Sequence, residues 1–124
     1  MLQIPVTSIP NIQIGQAQDA AAATGCTVIL CPAGAAAGLD VRGGGPASRE
    51  SELLRPVAAA DKIHAVLLSG GSAFGLDAAG GVMRWLAEHD IGFDTGVAKV
   101  PLVCASCLYD LTVGASTVRP GPAM

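Results

Sequence analysis

The run Ile63-His64-Ala65-Val66-Leu67-Leu68 breaks at Ser69-Gly70-Gly71-Ser72 and passes straight into a long amphipathic segment. Apolar and β-branched residues ending at a glycine turn read as a strand. Beyond the turn, Leu76, Ala79, Met83 and Leu86 recur at three- and four-residue steps, with Val82 flanking them. Asp77, Arg84 and Glu88 fall mostly elsewhere on the wheel, so the spacing predicts a helix from about Ser72 to His89. Gly75, Gly80 and Gly81 each cost about 1 kcal/mol of helix propensity relative to alanine. Three such glycines predict a helix pressed against a sheet where a Cβ would not fit. Gly92 ends the unit. A strand–turn–helix of this kind fixes the class as α/β.

The flanking segments add further strands. Met1 to Pro10 holds two prolines and no period, an irregular lead-in. Asn11 to Asp19 alternates Ile12 and Ile14 with Gln13 and Gln16, the pattern of a half-buried strand. Thr24 to Cys31 reads as a second strand, joined to the first by a hairpin and stopped by Pro32 and Gly34. A third is expected over Ala37 to Arg42, before the flexible loop Gly43-Gly44-Gly45-Pro46. Glu50 to Leu54 predicts one helical turn capped by Ser48 and ended by Pro56. Leu102 to Leu111 is apolar but fits strand and helix equally. Thr112 to Met124 reads as an irregular tail.

Composition narrows the function classes. The chain of 124 residues is 51% apolar and 14% charged, which excludes intrinsic disorder and suits one domain over residues 1–124. Yet the large side chains are few: two Phe, one Trp and one Tyr, against 16 Gly. So thin a core calls for tight packing or a partner chain. The net charge is −3 and the seven basic residues are scattered, which leaves no nucleic-acid footprint. No membrane-length apolar stretch and no basic-then-apolar leader is present, so the expectation is a soluble cytoplasmic protein.

Candidate chemistry centres on the glycine turn. A dinucleotide fingerprint would need glycine at position 72, which is Ser72, and a nucleophile elbow on Ser72 would need glycine at 74, which is Phe74. A phosphate loop would need a Lys-Ser/Thr pair, which the turn lacks. The plain alternative is a tight turn that lets the helix pack. Cys104 and Cys107 form C-x-x-C, but the only completing pair, Cys26 and Cys31, lies five positions apart on a strand and so on opposite faces. The thiols are expected to pack, and no metal site is expected. His64 lies inside an apolar strand and His89 in the last helical turn, where a cation suits the helix dipole. Both read as structural. Asp40, Glu50, Glu52 and Asp77 form no convincing carboxylate pair.

Several segments, taken in order, carry a resemblance. They are Thr24-Gly25-Cys26-Thr27-Val28-Ile29; Leu39-Asp40-Val41-Arg42-Gly43-Gly44 with Pro46, Arg49, Glu50 and Leu53-Leu54; Leu68 to Ala79 with Gly81 to Leu86; and Val100 to Val103 with Leu108-Tyr109-Asp110-Leu111. From about Asn11 to Pro120 the chain resembles the D-aminopeptidase/D-esterase and β-peptidyl aminopeptidase family, which includes nylon-oligomer hydrolases. The resemblance implies part of a layered α-β-β-α sandwich like that of N-terminal-nucleophile hydrolases. It also implies a precursor that cuts itself, exposing a Ser or Thr whose own amine is the general base. A free α-amine has a pKa near 8, close enough to neutrality for that task. Short peptides, amides or esters with a free amino end would be substrates, with no metal or organic cofactor. The full-length form would be a homo-oligomer.

Where the chain departs from the family, the departure governs the reading. The family's nucleophile, its supporting acids and its oxyanion Asn lie in a C-terminal part with no counterpart here. Of the site residues only the tyrosine can be placed, on Tyr109, whose hydroxyl would support the oxyanion or the nucleophile. Gly70, Gly71 and Ser72 are the candidate substrate-binding residues. The expectation is an N-terminal portion of such an enzyme, inactive alone and, with half a sandwich uncovered, self-associating. The alternatives are a non-catalytic scaffold or binding module, and a serine hydrolase using Ser72 directly.

Overall fold

The computed structural model describes residues 2–124. In chain order it forms strands β1 (Gln13–Asp19), β2 (Thr24–Ala35), β3 (Ala47–Arg49) and β4 (Ile63–Ser69), then helix α1 (Ala79–Glu88). Strands β5 (Phe93–Asp94), β6 (Lys99–Val100) and β7 (Val103–Cys107) follow. Five strands make one sheet in the order β1-β2-β4-β7-β3, while β5 and β6 pair separately. The class is mixed α/β, as the strand–turn–helix order requires.

The expected hairpin forms, with β1 antiparallel to β2 from Gln13 opposite Leu30 to Asp19 opposite Thr24. Its turn is closed by Asp19, whose Oδ1 accepts from the Ala22 N–H at 2.9 Å. β2 does not stop at Pro32 but runs on to Ala35. Proline lacks an N–H for the ladder, and here it sits where the pairing with β4 shifts register between Leu30 and Ala35. Asn11 bridges the irregular stretch, accepting from Ala33 N–H at 2.8 Å and donating to the Gly34 carbonyl at 3.1 Å.

Three local expectations need correction. Ala37 to Arg42 is not a strand. Its alternating pattern has no neighbour to pair with, and Leu39 and Val41 stay exposed. The third strand is instead Ala47–Arg49, antiparallel to β7 at the sheet edge. Ser48 therefore lies within a strand and is no helix cap; its Oγ accepts from Ser51 Oγ at 2.6 Å. The turn it was expected to cap is a 3-10 segment, Ser51–Leu54, entered through Glu50 in the left-handed region (φ 57°).

The predicted long helix is two pieces, a 3-10 segment Ser72–Ala78 followed by α1. Close approach explains the tight first part. A Cβ on Gly75 would strike the Gly70 carbonyl and lie 2.8 Å from Ser69 Oγ, so the segment is wound against the end of β4. Gly81 is tight for another reason: its would-be Cβ meets Pro122 backbone in the tail, not the sheet, whereas Gly80 has room. The tail is thus folded onto the helix, with Pro120 fully buried and the Arg119 guanidinium 3.7 Å from the centre of the Phe74 ring. Leu102 to Leu111 resolves as β7, parallel to β4 from Ala65 opposite Val103 to Ser69 opposite Cys107.

The core occupies one face of the sheet. Ala65 and Leu67 of β4 and Val103 and Ala105 of β7 pack with Ala78, Ala79 and Leu86. Alternation puts Val66 and Leu68 on the other face, where Leu68 and Ile14 are about half exposed.

Candidate functional site

Because β4 and β7 are parallel, their carboxyl ends finish side by side, the usual place for a ligand crevice in such sheets. The two exits are tied together there. Leu108 N–H donates to Ser69 O at 2.9 Å, and Ser72 N–H donates to Leu108 O at 3.0 Å. Gly70 N–H donates to Gly25 O at 2.9 Å, which brings in the start of β2. Asp110 then fastens all three segments: Oδ1 accepts from Gly71 N–H at 2.7 Å and Oδ2 from Thr24 Oγ1 at 2.7 Å.

An open cleft of about 860 Å³ lies over this junction. Thr24, Gly25, Ser69, Gly70, Cys107 and Asp110 contribute to its wall, as do Gln16, Gln18 and Asp19 of β1. The Gly71 N–H and the Thr24 hydroxyl hold the Asp110 carboxyl below the usual carboxylate range, against a smaller opposing effect of burial. A carboxylate so stabilised is a weak base, so Thr24 and Asp110 do not make an activated nucleophile. The sign of the pH effect follows. A depressed folded-state pKa adds stability above the unfolded value, near pH 4, and that stability is lost as pH falls through the folded value. Acid unfolding of the chain should therefore show a component below about pH 4 that disappears in Asp110→Asn, measured as Tm against pH.

Of the sequence-chosen residues, Gly70 lines the cleft while Gly71 and Ser72 do not. All three backbone N–H groups are bonded within the chain, so what the turn offers a ligand is its glycine surface. Tyr109 is 67% exposed; its neighbours Leu108 and Asp110 line the cleft and it does not. Ser72 is in the left-handed region (φ 55°). Among the described residues no histidine or carboxylate bonds its hydroxyl. The imidazoles are engaged elsewhere: His64 Nδ1 accepts from Leu102 N–H at 3.1 Å, and His89 Nδ1 lies 2.7 Å from Trp85 O with the two rings stacked.

The thiols are all free. Cys104 and Cys107 are three apart on β7 and so face opposite sides of the sheet. Cys26 packs against the helix-side core. Burial raises all four thiols above their ordinary value; at Cys107 a bond with Ser69 partly offsets this, while nearby Asp110 adds to it. They are poor nucleophiles in consequence. Among the described residues, no group of three or more His, Cys, Asp and Glu is placed to hold a metal ion.

Two residues of the junction were missed from the sequence. Asp110 stood in a quoted motif without a role, and Thr24 opened a strand. Their sequence separation of 86 residues leaves no local signal of their bond.

The family model of Peptidase family S58 matches residues 5–120. The chain is 43% identical over 123 residues to an uncharacterized aminopeptidase of Mycobacterium leprae, covering 93% of this chain and 34% of the relative. To a similarly described aminopeptidase of Mycobacterium tuberculosis it is 42% identical, covering 93% of this chain and 36% of the relative. To a 6-aminohexanoate-oligomer endohydrolase of Agromyces it is 35% identical over 115 residues, covering 93% and 30%. The chain thus spans about a third of the length of these relatives.

Proposed function

The chain belongs to peptidase family S58, and from that premise we propose that it is the N-terminal part of a self-cleaving aminopeptidase or amidohydrolase, lacking the nucleophile. Its substrates are short peptides, amides or esters with a free amino end. The Ser or Thr nucleophile and its α-amine belong to the part of the relatives' length that this chain does not span. Here the chain contributes the cleft wall, the Gly70-Gly71-Ser72 turn for substrate and Tyr109 for the oxyanion or nucleophile. The reaction needs no cofactor.

One observation carries this reading. The cleft is built, yet every Ser or Thr hydroxyl bonded at its wall serves the fold: Ser69 Oγ donates to Gly70 O at 3.0 Å, Thr24 Oγ1 donates to Asp110, and Thr27 Oγ1 accepts from Gln16 Nε2 at 3.2 Å. None is paired with a group basic enough to activate it. The exposed sheet face at Ile14 and Leu68 suits a second layer, which would complete the α-β-β-α sandwich. A homo-oligomer in the cytoplasm is the corresponding native form; no helix among the described residues is long and apolar enough to cross a membrane.

The test uses a serine-directed fluorophosphonate on the purified chain and on Ser72→Ala. No labelling of either is expected. Labelling of the parent that vanishes in Ser72→Ala would replace this reading with a hydrolase acting through Ser72.

A further inference from the structure

We propose that Asp110, together with Thr24, is the positioning residue of the site, locking Tyr109 and the Gly70-Gly71 turn into one fixed relation. Calling the object positioned a catalytic group rests on the function proposed above; the lock itself does not.

Tyr109 has no hydrogen bond of its own side chain among the described residues and is mostly exposed. Its location must be set by its neighbours. On one side Leu108 is stitched to Ser69 and Ser72 through its N–H and its carbonyl, at 2.9 and 3.0 Å. On the other side the backbone of Asp110 only closes a turn, accepting from Val113 N–H at 2.8 Å. The connection from that side back to the glycine turn is the Asp110 carboxylate, bonded to Gly71 N–H and Thr24 Oγ1. A hydrogen bond to an ionised group is worth more than a neutral one.

An independent observation points the same way. A Cβ at Gly70 would strike Asp110 Oδ2 and lie 2.5 Å from Thr24 Oγ1. The glycine therefore leaves the space in which the carboxylate meets the hydroxyl. Three residues from three strand ends are shaped to one contact. Asp19 and the Cys26 and Cys107 thiols are the other titratable groups lining the cleft, and none of them is bonded to Asp110.

The chain has a single tyrosine, so 3-fluorotyrosine gives one ¹⁹F resonance that reports on position 109 alone. That line, hydrogen exchange at the Gly71 amide, and exchange at core amides such as Leu67 and Ala105 are compared in the parent, Asp110→Ala, Thr24→Val and Thr24→Ser. In Asp110→Ala, Gly71 should exchange about tenfold faster or more, and the ¹⁹F line should narrow and move to its unfolded-peptide position, with the core amides unchanged. Thr24→Val should move both readouts part of the way, and Thr24→Ser, which keeps the hydroxyl, should restore them. An unaltered ¹⁹F line and Gly71 exchange in Asp110→Ala would overturn the proposal. So would losses in both Asp110→Ala and Thr24→Val that always accompany loss of the core amides, since that describes a fold contact and not a lock on Tyr109. Neither readout involves hydrolysis, so failure of the proposed activity and failure of the lock remain distinguishable.

Discussion

Gly75→Ala should destabilise the chain by about 3 kcal/mol or more, at the upper end of what overpacking costs. The new methyl would run into the Gly70 carbonyl and, at 2.8 Å, Ser69 Oγ. Neither can retreat easily, because the Ser69 carbonyl is held by Leu108 N–H and the Gly70 N–H is bonded to Gly25. Thermal unfolding followed by circular dichroism should show Tm lower by on the order of 10 °C. Gly80→Ala makes the contrast. Its Cβ would meet only Pro122 Cγ at an ordinary 3.7 Å, so the gain in helix propensity, up to about 1 kcal/mol, should raise Tm. Equal gains at both positions would mean that helix propensity, and not the fit against the turn, governs this segment.

Leu67→Ala should cost about 2–5 kcal/mol, a large part of the 5–15 kcal/mol typical of a domain. Leu67 is fully buried in β4, between Val28 of β2 and Ala105 of β7. Among the described residues the largest fully buried side chains are Leu67, Leu86, Val103 and Pro120. With so few, a cavity at the centre of the sheet has no bulky neighbour ready to fill it, and relaxation stays partial. Urea unfolding should show the loss as a lower midpoint with an unchanged slope. A midpoint shift equivalent to less than about 1 kcal/mol would mean that the site collapses around the truncated side chain, against the expected partial relaxation.

How far the sequence discloses this molecule depends on the range of the interaction concerned. The β4 strand was legible as a short apolar run closed by a glycine turn, and the following helix because its apolar residues repeat at three- and four-residue steps. The hairpin was legible from the alternation of its first strand and the β-branched run of its second. Ala37 to Arg42 misled because a segment that could form a strand still needs a neighbour to pair with, and β7 took Ala47–Arg49 instead. That strand, of three residues with no apolar alternation, carried no periodic signal. The break of the helix into a 3-10 start was invisible, although the glycine that permits it, Gly75, was noted. At the site, the motif drew attention to Tyr109 and the turn. The bond from Asp110 to Thr24 could not be read, because it depends on how the β2 start and the β7 exit come together.

The nucleophile is proposed to lie outside this chain, and turnover of amino-acid p-nitroanilides by the purified chain tests that proposal most directly. Release of nitroaniline should be indistinguishable from buffer. Turnover that scales with enzyme concentration at about 1 s⁻¹ or faster, within the ordinary enzyme range, would show that these residues already hold a complete catalytic group and would contradict the claim.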